Sequence, residues 1–210
     1  MNKQKSKKRP IQVLLIDDDQ QFASSLKNRA RRSQVLIDMA FNLKDGFDQF
    51  IASNKYQAII LDGKAPIHPD QPKGTEAENF VHSAITKIKE IEIKHQRVIP
   101  FCVHTAWYVQ LEAGLRDRAK VFDKKKTSVD DSQMEQMFKY LHHAVDQIEN
   151  TKIIAQHEEV FDFVDTYLDN EDHALILNLL SQRNMHTREH LLEKLAFLSL
   201  IHISEPTRPY

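Results

Sequence analysis

The chain of 210 residues has a single cysteine, Cys102, and no apolar run approaching the roughly 20 residues that span a bilayer. One cysteine cannot form an intramolecular disulfide, and its place in an apolar stretch fits a reducing compartment. The first ten residues are basic but lack the apolar centre of a signal peptide. We therefore expect a cytoplasmic protein with no membrane partner.

The chain also lacks an excess of charge of either sign. Its formal net charge is −1, with 28% charged and 41% hydrophobic residues, values typical of a globular protein. Residues 1–10 contain no acid and are typical of a solvated, disordered tail. Residues 151–197 carry four basic and nine acidic side chains, a balance of −5. Because a duplex-binding module is basic, nucleic acid is not an expected partner.

Apolar patterning alternates along the chain between two periods. Short apolar runs predict strands at 13–16, 35–40, 58–61, 98–103 and 120–122. Helical spacing predicts helices near 22–30, 43–51, 76–95, 109–115 and 132–148. Five strand–helix units in succession favour an α/β protein with a parallel sheet covered by helices on both faces.

Polar side chains with chemical potential follow four of these strands. Three aspartates, Asp17 to Asp19, follow the first strand, and Asp62 follows the third. Thr105 follows the fourth strand and Lys124 the fifth. In parallel sheets ligands bind beyond the carboxyl ends of the strands. Clustered carboxylates there suit Mg²⁺, a carboxylate can accept a phosphoryl group, and a lysine can supply a further positive charge.

Four motifs in register resemble the receiver domain of two-component response regulators. They are VLLIDDD at 13–19, IILD at 59–62 with Pro66 four residues later, HTA at 104–106 and VFDK at 121–124. The resemblance covers about residues 11–150 in the order and spacing of the family. It implies a flavodoxin-like, doubly wound, five-stranded parallel sheet of order 2-1-3-4-5.

The resemblance also implies a role for each residue of the motifs. Asp62 would be the phosphoacceptor, Asp18 a direct metal ligand and Asp17 a ligand through water. The backbone carbonyl of Lys64 would complete the protein ligands of Mg²⁺. Thr105 would be the switch hydroxyl and Lys124 the phosphate-binding lysine. The implied partners are a sensor histidine kinase or phosphotransfer protein and an unknown downstream protein, which makes the chain a regulator rather than an enzyme.

Three positions depart from the family pattern. Lys125 stands where the family usually has a proline, commonly with a cis bond, and Val121 stands at the aromatic switch position. The loop after Pro66 is longer and richer in proline than usual. Trp107 and Lys64 follow Thr105 and Asp62 by two residues each. In receiver domains these two positions flank the path of water to the phosphoryl group, so the resemblance implies that place for them here.

Acids at strand ends are often only solvated loop residues. Two other functions also remain open from the sequence. A receiver-like fold can serve as a phosphorylation-independent docking module, or the chain can be a regulatory domain on an enzyme whose catalytic part lies after Phe197.

The chain after residue 150 changes in character. Residues 151–197 predict the start of an incomplete helical region, with helices near 154–168, 175–180 and 191–198. Residues 198–208, LSLIHISEPTR, match the in-frame translation of a common transposase-type sequencing adapter. We therefore expect 198–210 to be non-native and the native chain to continue beyond Phe197.

Overall fold

The computed structural model describes residues 9–71, 79–115, 118–158, 160–161 and 170–181. The chain divides into two compact units, Met1–Asp146 and Gln147–Tyr210. Four predicted features lie wholly or largely outside the described residues. They are the basic tail, the helix start near residue 76, the helix at 191–198 and the adapter-like segment 198–210.

The first unit contains a five-stranded, all-parallel sheet of order β2-β1-β3-β4-β5. Its strands are β1 (Ile11–Ile16), β2 (Val35–Ala40), β3 (Ala58–Leu61), β4 (Phe101–Thr105) and β5 (Lys120–Asp123). This strand order confirms the predicted flavodoxin-like fold class.

Helices cover both faces of the sheet. They are α1 (Gln20–Ala30), α2 (Leu43–Ala52), α3 (Phe80–His95), α4 (Tyr108–Leu115), α5 (Lys124–Val129) and α6 (Asp131–Gln156). Apolar side chains of α2, α3 and α4 share one buried cluster, while those of α1 and α6 share the other. The layers are therefore those of a doubly wound α/β domain.

The central strands explain why both faces are covered. In β3, Ile59 and Leu61 belong to the cluster under α2 and α3, while Ala58 and Ile60 belong to the cluster under α1 and α6. All four residues are fully buried. A strand buried on both faces is continuously apolar rather than alternating, which is why the four-residue run predicted this strand with its observed limits.

Polar side chains begin the two helices nearest the carboxyl ends of β1 and β2. Asp19 accepts the Phe22 N–H at 2.9 Å and caps α1, while Asn42 accepts the Asp45 N–H at 2.8 Å and caps α2. The loop after β3 adds to the second cap, because the Pro66 carbonyl accepts the N–H of Leu43, the first residue of α2, at 2.9 Å.

Several elements differ from the predicted ones, most clearly β4, α5 and α6. Strand β4 begins at Phe101 rather than at residue 98, because Pro100 has no N–H for a strand ladder and Val98 is largely exposed. Helix α6 runs on to Gln156, beyond the predicted end at residue 148. Helix α5 was not predicted at all, because its sequence KKKTSV has no helical apolar period.

The second unit is helical where it is described, as predicted. Helix α7 (Asn170–Ser181) and the preceding residues bury a small apolar cluster around Phe161 and Ile176. The Phe161 and His173 rings lie 5.0 Å apart. Among the described residues of both units, no helix is long and apolar enough to cross a membrane.

Candidate functional site

The carboxyl ends of β1 and β3 bring three predicted site residues together. Asp17 and Asp62 directly follow these neighbouring strands, whose last residues, Ile16 and Leu61, are register partners. One carboxylate oxygen each from Asp17, Asp18 and Asp62 lies within 4.8 Å of the others. Asp17 is fully buried and Asp62 nearly so. The sheet therefore brings three acids close enough together to bind one metal ion.

Burial and mutual repulsion disfavour the ionised forms of these carboxyl groups. Burial, followed by the charge of Asp17, raises the pKa of Asp62 to about 7. Burial also raises the pKa of Asp17, with Asp18 as a smaller contributor in the same direction. Two backbone donors favour the ionised forms, since Asp17 accepts the Asp19 N–H at 3.0 Å and Asp62 accepts the Gly63 N–H at 2.6 Å.

Lys124 supplies the positive charge at the centre of the cluster. Its Nζ lies 2.7 Å from Asp17 Oδ2 and 3.0 Å from Asp62 Oδ1, although the lysine follows β5, two strands away from β3. Burial opposes the ammonium, but the charges of Asp62 and Asp17 outweigh it and raise the pKa of Lys124. The lysine is therefore charged near neutral pH and bridges both carboxylates.

Thr105, the last residue of β4, is fully buried against the start of the loop after Asp62. A Cβ atom at Gly63 would overlap the Thr105 side chain, reaching 2.7 Å from its Cβ, and would lie 2.8 Å from Leu111 Cδ1. Glycine at 63 is therefore what allows the Thr105 side chain to pack against the residue that follows Asp62. The same hydroxyl oxygen accepts the Trp107 N–H at 3.0 Å.

The side chains of Lys64 and Trp107 contact each other. The Lys64 Nζ lies 4.3 Å from the centre of the Trp107 ring, a cation–π contact, and the indole is about half exposed at 48%. The contact joins the loop after β3 to the loop after β4. The role of the Lys64 backbone carbonyl as a metal ligand stays a prediction.

Two residues beside the cluster were given no role from the sequence. Phe22 of α1 lies under the Lys124 ammonium, 4.7 Å from Nζ to the ring centre. The other neighbour of that ring is His104, at 5.3 Å between ring centres. The sequence places His104 just after the predicted strand 98–103, and only the fold shows that it belongs to β4 and is buried against Phe22.

The turn after β5 uses the residue that replaces proline. Asp123 caps α5 by accepting the Lys125 N–H at 2.9 Å, a bond that proline could not donate. Every peptide bond of the described residues is trans. Val121, at the predicted position of an aromatic switch, is buried in the cluster under α2 and α3.

The residues present fit a small divalent cation. All candidate ligand atoms are oxygens, and three carboxylates face one ammonium, which leaves an excess of negative charge. Hard oxygen ligands with carboxylate charge are what Mg²⁺ prefers in proteins. The arrangement can thus hold a divalent ion and present the Asp62 carboxylate beside it.

Comparisons with known proteins agree with the fold. No family model and no curated protein matches the chain. Among solved structures, a sensor protein from Polaromonas sp. JS666 is 18% identical, with a TM-score of 0.50 over 66% of this chain and 98% of that one. The response regulator PhyR from Brucella abortus is 15% identical, with a TM-score of 0.50 over 73% of this chain and 54% of that one. A response regulator receiver domain protein from Clostridium thermocellum is 14% identical, with a TM-score of 0.47 over 64% of this chain and 95% of that one. At these identities the likeness is one of fold, and the described α/β unit has the fold of a receiver domain.

Proposed function

We propose that residues 11–150 form a receiver domain that accepts a phosphoryl group on Asp62 in a Mg²⁺-dependent reaction. The donor would be a sensor histidine kinase or a phosphotransfer protein. One observation carries the proposal: Asp17, Asp18 and Asp62 converge within 4.8 Å around an ammonium that bridges two of them. Solvated loop acids have no reason to converge in a buried pocket, because burying like charges together is unfavourable.

Asp17, Asp18, Asp62 and the backbone carbonyl of Lys64 would hold the metal. When bound, Mg²⁺ would offset the negative charge of the phosphoryl oxygens and of the acceptor. An Asp62 oxygen would attack phosphorus as the bond from phosphorus to the donor atom breaks, giving an acyl phosphate and the free donor. Lys124, already 3.0 Å from Asp62, would supply a second positive charge to the transferred group.

The acyl phosphate would act as a switch. Its added charge would draw the hydroxyl of Thr105 and the ammonium of Lys124 toward it, and the face around α4 and β5 would shift between two states. That face, or the helical region after residue 150, would pass the signal to a downstream protein. The domain would catalyse its own phosphorylation and dephosphorylation, yet its role would be that of a regulator.

Small-molecule phosphorylation tests the proposal without a known kinase. The full chain is incubated with acetyl phosphate and Mg²⁺, and its intact mass is measured. Wild type should gain one phosphoryl group, whereas Asp62→Asn should gain none. Asp19→Asn is the matched control, because it makes the same substitution two residues after Asp17, where asparagine can still cap α1.

Asp19→Asn should be labelled like wild type. Equal labelling of wild type and Asp62→Asn would contradict the assignment of the acceptor. An unlabelled wild type would contradict phosphorylation altogether and would favour a phosphorylation-independent docking module on the same fold.

A further inference from the structure

A buried hydrogen bond joins β4 to the start of α5 beside the acid cluster. His104 is 1% exposed, and its Nε2 lies 2.6 Å from the Thr127 hydroxyl oxygen. Thr127 is equally buried, in a helix whose other residues are mostly exposed. Burying two polar side chains is unfavourable unless they form hydrogen bonds, so a functional explanation for this buried pair is sought.

The hydrogen bonds assign the direction of the His104–Thr127 contact. The threonine hydroxyl has one proton, which it donates to the Lys124 carbonyl at 3.2 Å. Its oxygen must therefore accept, so His104 donates its Nε2–H and leaves Nδ1 as a bare acceptor without a partner among the described residues. The reverse tautomer would bury an unpaired N–H donor at greater cost.

The protonation state of His104 agrees with this assignment. Burial, with the charges of Lys124 and Arg29, lowers the pKa of His104 to about 3. The imidazole is therefore neutral across the physiological range, and its hydrogen bond to Thr127 stays in the same direction throughout it.

Two paths lead from His104 to Lys124. The first runs through Thr127 to the backbone of Lys124, the first residue of α5, whose carbonyl also accepts the Ser128 hydroxyl at 2.6 Å. The second runs through Phe22, whose ring centre lies 5.3 Å from that of the imidazole and 4.7 Å from the Lys124 ammonium. One path ends at the backbone of the lysine, and the other ends at its ammonium.

We propose that His104 is a positioning residue that, through Thr127 and Phe22, holds the Lys124 ammonium between Asp17 and Asp62. The proposal deepens the proposed function, since a fixed ammonium is what a transferred phosphoryl group would meet. Its physical consequence precedes any phosphorylation: an ammonium 2.7 and 3.0 Å from two carboxylates repels a divalent cation that needs the same oxygens. Loosening the lysine should therefore strengthen Mg²⁺ binding while it slows phosphoryl transfer.

These opposite effects separate positioning from a merely structural role. A loss of packing alone would lower the melting temperature and leave Mg²⁺ affinity unchanged in the folded fraction. A displaced ammonium would tighten Mg²⁺ binding without raising the melting temperature.

Calorimetric titration of the full chain with Mg²⁺ tests the proposal. The central variant is Thr127→Val, which keeps the shape of threonine but loses the hydroxyl. Its matched control is Thr127→Ser, which restores the hydroxyl, and its reference is Lys124→Met, which removes the ammonium. We expect Lys124→Met to bind Mg²⁺ roughly tenfold more tightly than wild type, because a repulsion of about 1.4 kcal/mol is lost.

Thr127→Val should bind Mg²⁺ roughly threefold more tightly, part of the way to Lys124→Met, and Thr127→Ser should return to wild type. If Thr127→Val does not fold by circular dichroism, His104→Gln is titrated in its place with the same expectation. Wild-type affinity in a folded Thr127→Val or His104→Gln would overturn the proposal, as would wild-type affinity in Lys124→Met.

The outcome is independent of phosphorylation. If acetyl phosphate fails to label wild type but Thr127→Val still binds Mg²⁺ more tightly, the proposed function fails and the positioning role stands. If wild type is labelled and Thr127→Val matches it in both Mg²⁺ affinity and labelling rate, the function stands and the positioning role fails.

Discussion

The buried imidazole of His104 predicts a specific pH dependence of stability. Its pKa is about 3 in the folded chain, against an ordinary value near 6.5. The unfolded chain therefore takes up the proton first as the pH falls, which favours unfolding. This loss of stability is absent above about pH 6.5 and grows progressively as the pH falls toward 3. At pH 5 the loss should be about 2 kcal/mol, because pH 5 lies about 1.5 units below 6.5 and each unit is worth about 1.4 kcal/mol.

Urea unfolding of wild type and His104→Gln at pH 7 and pH 5 measures this term, with the fluorescence of Trp107, the only tryptophan, as the reporter. Glutamine does not titrate, so its disadvantage relative to histidine should shrink by about 2 kcal/mol at pH 5. Asp62, whose pKa is raised to about 7, also titrates in this range, and because the pKa values of Asp62 and Asp17 are both raised, protonation of these acids stabilises the fold as the pH falls. Lys124 lowers the pKa values of both acids, and both His104→Gln and Thr127→Val are expected to displace it. The contribution of the acids is therefore measured in Thr127→Val, which shares the displacement but keeps the imidazole.

Thr127→Val is the control for the hydrogen bond, because it removes the partner of His104 but keeps the imidazole buried. Its difference from wild type should change with pH only through Asp17 and Asp62, and the change in His104→Gln should differ from it by a further contribution of about 2 kcal/mol from the imidazole. If the stability differences of His104→Gln and Thr127→Val from wild type change by the same amount between pH 7 and pH 5, the imidazole is not held neutral by burial and the reasoning is wrong.

Three further predictions concern the surroundings of the site. Gly63→Ala should destabilise the first unit by about 1–3 kcal/mol in urea unfolding, because the new Cβ overlaps Thr105; unchanged stability would contradict the close packing. Asn42→Ala should lose about 1 kcal/mol in the same assay, since it removes the side-chain cap of α2, and Asn42→Asp should restore most of it. If the indole obstructs the approach of water, Trp107→Ala should shorten the lifetime of the phosphorylated chain. Beryllofluoride with Mg²⁺ should then change the fluorescence of wild type but not that of Asp62→Asn, and an unchanged lifetime would make Trp107 a packing residue.

The sequence predicted the strands of the sheet more accurately than the residues at which they begin and end. Strand β3 has its predicted limits because Gln57 and Asp62 bound its apolar run, and β2 also has its predicted limits. Strand β4 was placed too early because Val98 and Ile99 are as apolar as a strand, although Pro100 prevents them from joining it. Its end was missed because two polar residues, His104 and Thr105, are buried there. Hydrophobic patterning cannot recognise polar side chains that a site requires in the core.

The sequence could predict that the site residues meet, but it could not predict the contact between His104 and Thr127 beside them. Asp17 and Asp62 follow neighbouring parallel strands, so their meeting follows from topology alone. The contact between His104 and Thr127 joins residues 23 positions apart and depends on α5, a six-residue helix without an apolar period. The one local signal for that helix was Asp123, a capping residue directly before Lys124.

Chemical trapping of the acceptor tests the central claim most directly. Borohydride reduces an aspartyl phosphate, but not a free carboxylate, to homoserine, which marks the position in peptide mass spectra. After treatment with acetyl phosphate, Mg²⁺ and borohydride, we predict homoserine at position 62 and unmodified aspartate at 17 and 18. Homoserine at either of those positions, or aspartate at all three in a chain that carries the phosphoryl mass, would contradict the account.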